Sequence, residues 1–197
     1  EGGPTMVAGI ILLRSQAKEK KQRDEFHGPF KVLIVGRKKD GRWHHSFPKL
    51  RLDAVHGAAS SGFDWRAGRV LLPAGKADVL LGALIELTVE AGLDIDRVHV
   101  FPNYTCEEVA GFGLGTRFVV AKSDEPFDGE PDFDATKWIS PADDPNGRDP
   151  VTWVEWIDTK DLTRGIYSAM QSRSDMIERA IRHASTIPMK ATFPASS

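Results

Sequence analysis

Glu86 and Glu90 stand four residues apart in a stretch whose apolar residues recur at helical spacing. Four residues carry an α-helix a little past one turn, so both carboxylates project from one face, about 40° apart around the axis. Such a pair suits a hard divalent cation. Mg²⁺ takes oxygen ligands, keeps several of its waters, and is commonly held by one or two carboxylates together with substrate phosphates. The plainer reading of an i,i+4 acidic pair is a solvated helix face, and the surrounding residues have to decide between the two.

A second feature concerns the partner. Between positions 14 and 51 there are 12 Lys or Arg against 4 acids, a net of +8, while the rest of the chain holds 14 basic and 24 acidic residues, a net of −10. The overall charge of −2 conceals that asymmetry. Clustered cations concentrate phosphates and supply a sequence-independent binding term, which points to RNA or a nucleoside polyphosphate. A basic hairpin that merely aids solubility is the alternative. Lys31, Arg37, Lys38, Lys39, Arg42 and Lys49 are the candidate contacts, with His44 beside them. His44 and His45 are neighbours on an extended segment and point to opposite faces, so the expectation is one exposed and one half-buried imidazole. Trp43, Phe63, Trp65 and Trp153 are of the ring type that stacks on bases, but each is expected in the core.

Several chemistries find no support. Cys106 is the one cysteine, which excludes an internal disulfide framework and a cysteine-based zinc cluster and fits a reducing compartment or an organelle matrix. No Ser/His/Asp arrangement with motif context is present. The glycine-rich run at 111–115 does not follow a strand and open a helix as a phosphate-cradling loop does, and reads as a bulged strand or turn.

The elements that position these residues follow from hydrophobic period. MVAGIILL at 6–13 and FKVLIVGR at 30–37 read as neighbouring strands joined by a basic loop at 15–28. Asp40-Gly41 is a strong turn signal. Residues 51–74, rich in Gly, Ala and Ser, read as an excursion. Between 78 and 91 the period becomes helical: Leu80, Leu84 and Leu87 fall at i, i+4 and i+7, with Asp78 as N-cap and Gly92 as stop. Further strands are expected at 97–104, 117–122 and 153–157, a turn or short helix at 158–162, and a polar, Pro- and Asp-rich loop at 124–148. An amphipathic helix spanning about 174–185, with Met176, Ile177, Ala180 and Ile181 on one face, closes the chain.

These elements make an α/β (α+β) domain in which helices cover a mixed sheet, with residues 1–197 as a single domain. A length of 197 residues with 41% hydrophobic and 27% charged side chains suits one ordinary soluble core. No stretch approaches the roughly 20 apolar residues of a membrane-spanning helix, so no membrane partner is expected.

The segment 85–93, Ile85-Glu86-Leu87-Thr88-Val89-Glu90-Ala91-Gly92-Leu93, resembles the second half of the Nudix box, R-E-U-x-E-E-x-G-U with U aliphatic. Upstream, Trp43 to Leu50 (WHHSFPKL) is similar to the W-x-F-P-K-G segment of Nudix hydrolases acting on dinucleoside polyphosphates, diphosphoinositols or RNA 5′ ends. In the family the last Gly of that segment lies 15 residues before the first helix Glu; here Leu50 and Glu86 are 36 apart, so the excursion at 51–74 is an insertion within the box. The strands at 6–13 and 30–37 and the V-E-W-I-D strand at 154–158 also fall where the family has them. The resemblance implies a Nudix-like α/β/α sandwich with a mixed sheet, a central Nudix helix and a C-terminal helix.

The same resemblance implies Glu86 and Glu90 as ligands of Mg²⁺ or Mn²⁺, Glu86 as the base that activates water, and hydrolysis of a pyrophosphate linkage in a nucleotide or RNA 5′ end. The departures are as specific as the matches. The middle carboxylate of the helix falls on Val89, the Arg on Ile85, the upstream Glu on Ala77 and the upstream Gly on Leu50. A hard-cation site depends on its carboxylate count, so Val89 weighs against full activity. Asp78 or a carboxylate between 124 and 134 is a candidate replacement. The pattern is also similar to divergent organellar members that act in mRNA stability, which implies a mitochondrial location, or otherwise a cytoplasmic one. A catalytically silent, RNA-binding or structural subunit of a mitochondrial ribonucleoprotein complex is the alternative, with other subunits of an RNA-processing assembly as partners.

Overall fold

The structure, a computed structural model, describes residues 5–16, 28–51, 91–93, 95–109, 115–124, 153–163, 173–187 and 192–194. Glu86 and Glu90, the helix expected around them, Phe63 and Trp65, nearly all of the 51–74 insertion and the loop expected at 124–148, apart from Asp124 itself, lie outside these residues. Among the described residues no helix is long and apolar enough to cross a membrane.

The apolar, β-branched runs become strands: β1 is Thr5–Ser15, β2 Phe30–Lys39, β3 Arg42–Ser46, β4 Lys49–Arg51, β5 Val98–Val109, β6 Gly115–Ser123, β7 Trp153–Asp158 and β8 Phe193–Pro194. The expected strands are present, several extended by one to five residues. The glycine run at 111–115 touches the described chain only at Gly115, which opens β6. The expected turn at 158–162 contains a 3₁₀ turn at Asp161–Thr163.

All eight strands join one mixed sheet, in which β3-β2-β1-β6-β5-β8 is the continuous path while β4 pairs with β1 and β7 with β2. β1 and β6 run parallel; the other pairs are antiparallel. Register shows where the sheet divides. Leu13–Ser15 of β1 pair with Phe30–Val32 of β2, and Val7–Gly9 pair with β4. Along β2, the same edge passes from β1 to β3 beyond Val32, while β7 takes the opposite edge. The chain therefore leaves β2 at Ser46 and reaches β1 at Lys49, crossing on Phe47-Pro48.

That crossing is tightly held. The Pro48 carbonyl accepts the Ile10 N–H at 3.0 Å, filling a place on β1 that neither β2 nor β4 occupies. Phe47 is fully buried and meets Phe118 of β6 edge-to-face, with ring centroids 5.3 Å apart. The Arg173 guanidinium lies 6.0 Å from the Phe47 ring and 5.9 Å from that of Phe118.

Arg173 immediately precedes the one α-helix among the described residues, α1, Ser174–Thr186. Its buried stripe is Met176, Ile177, Ala180 and Ala184, with Ile181 half-buried against the same core, as the apolar period predicts. The helix covers the sheet face made by Ile11, Leu13, Phe30, Val32, Ile34, Phe118, Val120 and Ile157. The opposite face is equally dry: Ile10, Leu12, Leu33, Val35 and Ala121 are buried too. Strands buried on both faces read as unbroken apolar runs rather than alternating ones, which is the pattern of 6–13 and 30–37.

Candidate functional site

The basic segment is organised by the β2–β3 hairpin. Asp40 and Gly41 both have positive φ, 52° and 75°, as a two-residue type I′ turn requires, and this fixes the register. Arg37 stands opposite His44, Lys38 opposite Trp43, Lys39 opposite Arg42 and Gly36 opposite His45. Because side chains alternate, opposed residues share a face. Arg37, Arg42 and His44 belong to one face of the hairpin, and Lys38, Trp43 and His45 to the other. His44 is exposed and His45 half-buried, as expected from their adjacency.

The candidate contacts do not form one patch. Arg37, Lys38, Arg42 and His44 cluster within a few residues of the turn, Lys38, Arg42 and His44 being exposed and Arg37 half-buried. Lys39 belongs to the same hairpin, at its last strand position. Lys31 is six residues back along β2, roughly 20 Å at about 3.3 Å per residue, and pairs in register with Arg14 on one side and Asp158 on the other. Lys49 lies beyond the Phe47-Pro48 crossing, paired with Gly9. Near Lys31, Asp158 accepts a hydrogen bond from Gln16 Nε2, and the buried Arg14 guanidinium stacks on Trp156 at 4.6 Å from the ring centroid.

Trp43 corrects an expectation. It is not in the core but 49% exposed, the one large hydrophobic side chain so exposed among the described residues. Among the described strands, β3 has β2 on one side and no further strand on the other. Trp153 does pack against the core, as expected. Between them lies His45, whose ring is 6.1 Å from Trp43 and 17° from parallel to it, and 5.1 Å from Trp153 in an edge-on contact. Gly36 makes room for this row: a Cβ there would meet Trp153 at 3.0 Å and His45 at 3.4 Å. Counting two residues back from Phe47, the Trp position of W-x-F-P-K-G falls on His45, so a ring occupies it and Trp43 lies one strand repeat earlier on the same face.

Burial, reinforced by the neighbouring His44, lowers the His45 pKa below the ordinary histidine value, and burial alone lowers that of His183. The unfolded chain then binds more protons than the folded one as pH falls through about 6.5, so stability present above that value is lost on acidification. His45→Phe, which keeps a ring between the two tryptophans, should flatten the fall in thermal midpoint between pH 7.5 and 5.5. A variant as pH-sensitive as the wild type would show that His45 does not carry the effect.

Sequence reading missed one polar pair. His99 Nε2 lies 2.8 Å from Asp124 Oδ2, joining the start of β5 to the end of β6. Nothing in the spacing of residues 25 apart signals it; only the pairing of His99 with Lys122 brings Asp124 alongside. Asp124, a candidate replacement ligand, is thus already engaged. Among the described residues no three His, Cys, Asp or Glu side chains are grouped so as to hold a metal ion.

The end of the box segment is visible. Ala91 and Leu93 are buried, and Gly92 between them has φ of 66°, in the left-handed region that glycine adopts readily.

The architecture aligns with solved structures across most of its length. An Ap4A hydrolase of C. elegans, solved as a binary complex, matches with a TM-score of 0.51 at 13% identity, over 89% of this chain and 98% of that one. A Nudix hydrolase from Alicyclobacillus acidocaldarius matches with a TM-score of 0.50 at 12% identity, over 95% and 96%. The fold is the Nudix fold. No protein-family description and no curated protein sequence matches the chain. At such low identity the likeness is one of architecture.

Proposed function

We propose that this chain uses its Nudix fold to bind a nucleotide or RNA 5′ end and to hydrolyse a pyrophosphate linkage within it. The observation that carries the reading is the coincidence of the fold with a box-like segment, 85–93, in which Ala91 and Leu93 are buried and Gly92 between them has a left-handed backbone. Glu86 and Glu90 would hold a divalent cation, Mg²⁺ or Mn²⁺, which when bound stabilises charge on the phosphoryl oxygens and lowers the pKa of water. Glu86 accepts the proton of the attacking water. The cations near the β2–β3 turn, Arg37, Lys38 and Arg42, draw in and orient the polyanion, with the exposed His44 beside them as a hydrogen-bonding partner. That the C. elegans neighbour is an Ap4A hydrolase supports a substrate with linked phosphates. The excess of +8 between 14 and 51 favours RNA over a free nucleotide.

Release of pyrophosphate or phosphate from 5′-triphosphorylated RNA with Mg²⁺ or Mn²⁺ tests this, with turnover as the expected result. A silent RNA-binding subunit of a mitochondrial assembly is the second reading, favoured by Val89 in the place of a carboxylate and by Ile85, Ala77 and Leu50 at the other altered positions. RNA binding without turnover would establish it. Restoring the missing carboxylate separates metal loss from misplacement of the site: Val89→Glu should tighten Mn²⁺ binding at least several-fold, since affinity follows ligand charge count. Calorimetry showing no gain would remove position 89 from the metal site.

A further inference from the structure

The aromatic row on the Lys38 face of the hairpin is not used by the proposed reading of the 85–93 segment. Its outer member, Trp43, is 49% exposed, yet its plane is set from below by the near-parallel ring of His45, which Trp153 braces edge-on. The two inner rings close over Gly36, which has no side chain to separate them. Lys38 stands directly opposite Trp43 on the same face, and Arg42 precedes it on the strand; both are exposed. The site therefore offers one exposed aromatic surface, backed by two further rings, with the cation of Lys38 opposite it on the same face.

We propose that Trp43 is a stacking platform for a nucleobase of single-stranded RNA, with Lys38 engaging the adjoining phosphate. A base needs one π-face and a neighbouring positive charge, which is what this place provides. Docking of a protein or a bilayer calls instead for a contiguous apolar patch of several hundred Å². Among the described residues no second large hydrophobic side chain is exposed beside Trp43, and the turn next to it is Asp40-Gly41. The inference rests on the reading that RNA is the polyanion drawn to the basic segment.

The test compares the full-length wild type, Trp43→Ala, Trp43→Phe and Lys38→Ala by fluorescence anisotropy. The probes are a 5′-hydroxyl oligoadenylate and an abasic oligomer with the same number of phosphates. The wild type should bind the base-bearing strand more tightly than the abasic one. Trp43→Ala should lose about tenfold or more on oligoadenylate and almost nothing on the abasic strand, while Trp43→Phe retains most of the affinity. Lys38→Ala should weaken both and reduce the salt slope by about 0.7.

Equal affinity of wild type and Trp43→Ala for oligoadenylate, with the variant shown folded by its thermal midpoint, overturns the proposal. So does an equal loss on both probes, absence of binding by the wild type, or loss in Trp43→Ala of binding to anionic vesicles alone. Neither probe contains a pyrophosphate, so the outcome is independent of hydrolysis. No turnover on triphosphorylated RNA with the Trp43 effect intact rejects the enzymatic reading alone; turnover without a Trp43 effect rejects the platform alone.

Discussion

Glu86→Gln is expected to lower pyrophosphate release by about 10²–10⁴-fold, the usual contribution of a positioned general base. The amide keeps the shape of the carboxylate but cannot take the proton from water. On the proposed reading it would also remove one of the two negative charges that hold the cation, in a segment where Val89 stands in place of a third. The loss should therefore show in two ways: lower turnover at saturating Mn²⁺ and a higher Mn²⁺ concentration at half-maximal rate. Glu90→Gln should reproduce the second effect more than the first, because it carries charge without serving as the base. A Glu86→Gln protein that turns over at the wild-type rate would place the chemistry elsewhere in the chain. RNA binding should survive the substitution, since it is assigned to Arg37, Lys38 and Arg42 of the β2–β3 hairpin and not to Glu86.

Phe47→Ala is the largest expected effect on stability, a loss of about 3–5 kcal/mol, as for large-to-small changes at fully buried aromatic sites. The magnitude follows from where Phe47 stands. It sits on the crossing at which the chain leaves β2 for β1, fully buried, with Phe118 edge-on against it and Arg173 over both rings. Removing the ring opens a cavity at the junction of β1, β6 and the start of α1, where neighbours on three elements are fixed by their own hydrogen bonds and cannot collapse into it. A fall in thermal midpoint on the order of 10 °C is expected for a chain of this length. Phe47→Leu should recover more than half of the loss. A midpoint within 2 °C of the wild type for Phe47→Ala would mean that the crossing is not a packing centre.

Much of the framework is readable from local residue order because its causes are local. A β-branched apolar run makes a strand wherever it lies, Asp40-Gly41 can adopt two successive positive φ values at little cost, and Met176, Ile177, Ala180 and Ile181 mark a helix face by spacing alone. The left-handed backbone of Gly92 is legible for the same reason, since glycine adopts a positive φ without steric cost. The valine at position 89 and the excess of basic residues before position 52 are likewise facts of residue type and count.

Which strands pair, and hence which side chains share a place, depends on contacts between residues far apart in the chain. The parallel pairing of β1 with β6, the division of the sheet at Phe47-Pro48 and the meeting of His99 with Asp124 have no local signature. The same holds for the candidate contacts: counted along the chain, Lys31 and Lys49 belong with Arg37, Lys38, Arg42 and His44, but strand direction carries Lys31 to the far end of β2 and the crossing moves Lys49 onto β1. Trp43 is the sharpest instance. Its residue type favours burial, yet it is exposed on β3, which among the described strands lies at the end of the sheet path, a position set by which strands pair and not by local residue order.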